Sequence, residues 1–210
     1  SSAMAIEIRQ HMPGRDIRDF MRVPYVVFAG DRAWVPPLHL MMKEQLTPKK
    51  NPFFEHADVM LFTARRDGKL VGRISAQIDH EHQKRYQDAI GFFGYFDTID
   101  DLEVAQALLE AARAWLRARG MKRMRGPLSF SINGEIGSLV EGFEDPPMVL
   151  MGHSTRYQGR LVEDCGLAKI KDLYAWRYRV EDLPPRALKA WQEVRGLPEV
   201  TLRIADRSRL

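Results

Sequence analysis

The residues best suited to chemistry lie in a 27-residue stretch, 126–152, that contains glycine and proline and has no regular apolar period. Within it Ser129, Ser131, Asn133 and Glu135 alternate with apolar residues, which places them on one face if the chain is extended. Such a row would line a cleft and hold a polar head group. Glu135 is the only carboxylate between Ser129 and Val140, and burial would raise its pKa into the range of a general base. Phe130, Ile132 and Leu139 give the stretch enough apolar surface to fold over a core, so these three are expected to point inward while Asn133 and Glu135 face a pocket. His153 and Tyr157, at the approach to a later helix, complete the candidate substrate-binding set.

Other reactive groups read as structural. Asp79-His80-Glu81-His82 offers alternating ligands but no third donor at useful spacing, so it is expected to be a solvated turn and no metal site is assigned. His56 stands alone. Cys165 precedes Gly166 at a helix end with no histidine partner in reach, where a small buried residue is expected. Arg117 to Arg125 holds five cations in nine residues, the end of a helix followed by the start of a strand.

The elements that must position these groups follow from apolar spacing and turn residues. A strand is expected over 4–10, then a helix carrying Ile17, Phe20 and Met21, which Trp34-Val35-Pro36-Pro37 interrupts. A short helix spans 38–46. Two β-rich runs, 57–65 and 70–79, flank Asp67-Gly68, a strong hairpin signal, and 89–96 adds a third strand. Asp100 to Gly120 is the clearest helix, with Leu102, Ala105, Leu108, Leu109, Ala112, Trp115 and Leu116 forming one apolar stripe. A strand follows at 121–125, a helix at 155–164, a strand or bent pair at 168–180, a helix after Pro184-Pro185, and a β-like run at 200–204.

The chain has 210 residues, 45% apolar and 29% charged, enough to bury a full core and too aromatic for disorder. No apolar run approaches the roughly 20 residues of a membrane-spanning helix, and the start carries no secretory pattern. One cysteine excludes an intrachain disulfide and points to the reducing cytoplasm. Net charge is +4, with arginine far ahead of lysine, a bias that suits phosphate, carboxylate or anionic-lipid surfaces, including peripheral contact with a membrane. No basic run is interleaved with aromatics as a nucleic-acid platform requires.

Hairpin, strand, long helix, strand, helix, strand is the order of the GCN5-related N-acetyltransferase (GNAT) fold. The segments WVPPL, NPFFEHADVMLFTARRDGKLVGRISAQID, GFFGYF, RGPLSFSINGEIGSLVEGFEDPPMVLM and KDLYAWRY resemble the N-terminal half of a bacterial double GNAT-like family that includes ceramide synthases. The resemblance implies an α/β (α+β) fold with a mixed, mostly antiparallel sheet flanked by helices. It also implies a domain over 4–180, with 181–210 leading toward a second half. By the same resemblance the reaction is acyl transfer from acyl-CoA to an amine, a long-chain sphingoid base in the ceramide synthase members.

Two family motifs depart from the pattern. Asp100, Glu103 and Ala105 stand where a pyrophosphate-binding loop would be Arg/Gln, Gly and Gly/Ala, so acyl-CoA, the expected co-substrate, is expected to be held by the other half. Thr155, Gln158 and Val162 stand where the later helix would carry Asn, Ala and a proton-donating Tyr. A non-catalytic GNAT-fold module that binds a lipid or a protein is the alternative.

Overall fold

A computed structural model describes residues 5–177, 179, 184–201 and 203. Two compact units divide the chain, Ser1–Ile170 and Lys171–Leu210.

The first unit is built on five strands in sequence order: β1 (Ile6–His11), β2 (Ala57–Arg66), β3 (Lys69–Asp79), β4 (Ile90–Thr98) and β5 (Arg123–Arg125). The first four pair antiparallel, and β5 runs parallel to β4 over three residue pairs, Ile90 with Arg123 to Phe92 with Arg125. The β2–β3 turn is the one expected: Asp67 and Gly68 both have positive φ, which lets the two-residue connection match the strand twist. Between β1 and β2 lie α1 (Arg18–Val27) and α2 (His39–Gln45). The strand ends at Asp79, whose carboxylate caps the amides of Glu81 and His82 and starts α3 (His80–Tyr86). The expected turn at Asp79–His82 is therefore a helix start, because an aspartate at that position satisfies the free N–H groups.

Long α4 (Leu102–Arg117) connects β4 to β5 and packs its stripe on one face of the sheet, except for Leu102, which is exposed in the first turn, with Leu161 of α5 (Gln158–Asp164) beside it. α1, α2 and Phe130 cover the other face. Both faces of β3 and of the middle of β2 are thus covered, and adjacent residues Leu61 and Phe62 belong to opposite cores. Leu108 has no exposed surface, and its Cδ1 lies 2.7 Å from where a Cβ at Gly72 would stand. Leu108→Ala should cost about 2–5 kcal/mol in denaturant unfolding, since little can close over the void. A loss under about half a kcal/mol would contradict this packing.

The second unit, described by itself, holds α6 (Pro185–Arg195), with Leu188 and Trp191 exposed, and a contact between the Tyr174 and Trp176 rings. The strand expected over 168–180 is not formed in 168–177, whose backbone joins no sheet among the described residues. Alternating aromatics suit a strand, but a strand also needs a neighbour for its N–H and C=O groups. Of the β-like run at 200–204, positions 202 and 204 lie outside the described residues. No helix among the described residues is long and apolar enough to cross a membrane.

Candidate active site

β4 makes the site. Opposite Arg73 and Ser75 of β3, the strand carries one extra residue, so that Asp97 pairs with Arg73 and Gly94 with Ser75. Such a bulge re-aims side chains, and Tyr95 within it has φ +45°, a strained value for an aromatic residue. β5 leaves β4 after Phe92, and residues 126–130 take its place. Glycine is required where they cross: a Cβ at Gly94 would lie 2.1 Å from the Leu128 carbonyl oxygen, and one at Gly126 would lie 2.4 Å from that of Phe93. Gly94→Ala should therefore displace residues 128–129 and lower the melting temperature, whereas an unchanged melting temperature would contradict the crossing.

Beyond the crossing the chain doubles back. Leu128 bridges Ile136, the Ser129 N–H donates to the Glu135 carbonyl, and a turn closes with Gly134 N–H on the Ser131 carbonyl. This corrects the extended row of the sequence reading. Because the turn falls inside it, Ser129 and Glu135 line one cleft together, while Ser131 and Asn133 are not in its lining. Ser131 Oγ accepts from the Asn133 N–H. Phe130, at φ +71°, does point inward, stacked on Phe53 and edge-on to Tyr95. Ile132 does not: it is 75% exposed at the turn. Leu139 is half-buried.

The cleft, with about 40 Å³ of free space, is lined by Ser129, Glu135, His153, Arg73, Asp97 and Tyr95, among others. Three of these lie far from the 126–152 stretch in sequence. Arg73 Nε donates to Asp97 Oδ2 at 2.7 Å, and both residues are buried. His153 Nε2 donates to Asp31 Oδ2 at 2.8 Å, the Asp31 carboxylate also accepting the Ala33 N–H. Burial works to raise the Asp31 pKa, and these hydrogen bonds outweigh it and hold the group below its ordinary value.

Glu135 is an exposed residue, so a ligand can reach it, while its carboxyl on the cleft side is partly desolvated by the surrounding protein. That desolvation, reinforced by the Asp97 charge, pushes its pKa above the ordinary value, against the opposing pull of Arg73 and His153. A carboxylate so placed accepts a proton from an amine more readily than a solvated one.

Tyr157 lies elsewhere. It lines a larger groove of about 480 Å³, with Val27, Asp31, Phe143, Thr155 and Arg156, and its hydroxyl donates to the Thr98 carbonyl at 2.5 Å. Asp31 in the groove wall and His153 in the cleft wall are the hydrogen-bonded link between the two spaces.

At the start of α4 the two helix-end amides of Glu103 and Val104 are already taken by Asp101 Oδ1, at 3.0 and 3.3 Å. Arg66 pairs with Asp101 and Glu103, and Arg160 with Asp100. Each acid is thus paired within the chain, but two arginines leave one negative charge over, and the occupied N–H groups are a second obstacle to an anion there.

Three other histidines form separate pairs, His56 with Asp79, His80 with Asp58 and His82 with Asp88, and no three metal-binding side chains converge among the described residues. Burial pushes the Cys165 thiol above its ordinary pKa, away from the thiolate a nucleophile needs.

Arg73 and Asp97 were not singled out in the sequence. The signal was present in the alternation Arg73, Ser75, Gln77 on β3, which reads as an ordinary solvent face until both faces of the strand prove to be covered.

No protein-family model matches the chain. It is 45% identical over 197 residues to the bacterial ceramide synthase of Caulobacter vibrioides (strain NA1000), covering 92% of this chain and 51% of that protein. It is 38% identical over 204 residues to protein YghO of Escherichia coli K12, covering 96% of this chain and 52% of that one. The chain spans about half the length of these curated relatives. Among solved structures, an aminoglycoside acetyltransferase from an uncultured soil metagenomic sample aligns at TM-score 0.48 and 10% identity, over 83% of this chain and 96% of its own. The aminoglycoside N-acetyltransferase AAC(6')-Iy aligns at 0.47 and 16%, over 84% and 97%.

Proposed function

Because the chain resembles one half of a bacterial GNAT-like family that includes a ceramide synthase, we propose that it forms the acyl-acceptor cleft of an acyl-CoA-dependent N-acyltransferase. The observation that carries this reading is Glu135, reachable and proton-avid in a cleft that also holds Asp97 and His153. In the proposed reaction a long-chain lipid amine enters with its nitrogen toward Glu135. The carboxylate takes the proton that the nitrogen must lose as it bonds to the thioester carbon. The groove beyond the Asp31–His153 link would carry the rest of an elongated substrate. The CoA pyrophosphate is assigned away from the α4 N-terminus, because Asp101 already satisfies the amides it would need.

Calorimetry on this chain tests both parts. Decylamine should bind, and Glu135→Gln should weaken it, while decanoyl-CoA should bind weakly or not at all. Micromolar decanoyl-CoA binding abolished by substitutions in 100–105 would overturn the assignment of the pyrophosphate. Failure of decylamine to bind would overturn the acceptor cleft.

A further inference from the structure

The α1-facing row of β3 consists of three buried polar side chains, and two of them are satisfied within the fold. Ser75 Oγ donates to Gln77 Oε1 at 3.0 Å, and Gln77 Nε2 donates to the Leu128 carbonyl at 2.6 Å. Arg73 is satisfied only in part. Its Nε bonds Asp97 and its Nη1 donates to the Phe20 carbonyl at 3.2 Å, while Nη2 has no acceptor among the described residues. The rings of Phe20 and Tyr95 lie 4.9 and 5.4 Å from Cζ and hold the plane. The side chain is 7% exposed, and what remains open belongs to the cleft that Glu135 lines.

A guanidinium has five N–H donors, and Nη2, which is not among the buried polar atoms left without a partner, keeps surface open to the cleft, where an oxygen ligand can take the place of water. This one is fixed by an ion pair, a carbonyl and two aromatic rings, so it need not rearrange to bind. Donors held in advance toward the place where negative charge develops are what acyl transfer requires.

The geometry points to Arg73 as the donor to the carbonyl oxygen of the acyl group under attack, an inference that rests on reading the cleft as the amine site. As the amine nitrogen forms its bond to the thioester carbon, the carbonyl π pair moves onto oxygen, which Nη2 then faces. The nitrogen's proton passes to the Glu135 carboxylate. When the pair returns to restore the carbonyl, the carbon–sulfur bond breaks, and the departing sulfur takes the proton from Glu135. Thioester and amine become amide and thiol, with no other reactant. Asp97 is a positioning residue in this scheme, since it holds the guanidinium through Nε and touches no reacting atom.

Two probes that differ in one group test the assignment on this chain by calorimetry. Decylamine has the nitrogen alone, and N-decylacetamide adds the carbonyl oxygen that Arg73 would bind. Arg73→Lys keeps a cation beside Asp97 but removes the second edge of the fork. It should weaken N-decylacetamide by about tenfold or more, the worth of one hydrogen bond to a charged group, and leave decylamine within about twofold. Glu135→Gln should do the reverse.

If N-decylacetamide binds Arg73→Lys as it binds the parent chain, or if both probes weaken equally, the inference is overturned while the acceptor cleft stands. If neither probe binds the parent chain, both readings fall. Should Arg73→Lys not fold, nitrogen-15 spectra of the parent chain replace it: the Arg73 Nη2 signal should move with N-decylacetamide and stay with decylamine. A signal that ignores the amide overturns the inference as well.

Discussion

Glu135→Gln is expected to lower acyl transfer about 10²–10⁴-fold while the melting temperature stays level or rises slightly. The rate is to be measured with this chain grafted in place of the matching half of the full-length relative, so that the other half, the proposed holder of CoA, is supplied. The substitution keeps the shape of the side chain and removes its capacity to accept a proton. The stability half of the prediction follows from the direction of the pKa shift. Burial and the Asp97 charge raise the Glu135 pKa in the folded chain above its ordinary 4.5. The folded state therefore holds the proton more tightly than the unfolded state does. The stability this group contributes is present in full below the ordinary value and is lost as pH rises through the raised one. Above the raised value the ionised carboxylate is a net cost to folding, which glutamine removes. Normal turnover in a well-folded Glu135→Gln protein would take Glu135 out of the reaction.

Asp97→Ala should destabilise the first unit by about 3–5 kcal/mol in denaturant unfolding, among the largest effects of any single substitution here. Asp97 and Arg73 are both buried and joined at 2.7 Å, so removing the carboxylate strands a guanidinium in the interior. Replacing both partners, Arg73→Met with Asp97→Leu, should recover much of the loss, because the charge that needed a partner goes too. Asp97→Ala should also bring the Glu135 pKa down, since the neighbouring negative charge that helps raise it is gone. A cost under about 1 kcal/mol would mean that water reaches the pair freely.

Much of this arrangement is legible in the residues, and the parts that are not have physical reasons. The Asp67-Gly68 hairpin and the α4 stripe are local patterns, and each forms where its spacing places it. Glu135 is legible as the lone carboxylate in an apolar, glycine-punctuated stretch. Its neighbours are not, because the alternation from Ser129 to Glu135 is folded back by a turn at Ser131–Gly134 that the spacing does not reveal. The pairing of Arg73 with Asp97 and of His153 with Asp31 depends on contacts across 24 and 122 positions, which no window of sequence contains. The aromatic alternation around Tyr174 and Trp176 shows the converse: a sound strand pattern stays irregular where the described residues provide no neighbouring strand.

The most direct test of the acceptor cleft is a carbon-13 titration of the Glu135 carboxyl in this chain, with and without decylamine. The account predicts a midpoint above 4.5 in the free chain, moving downward when the amine binds, because an adjacent ammonium favours the ionised carboxylate. A midpoint at the ordinary value that decylamine leaves unmoved would contradict it.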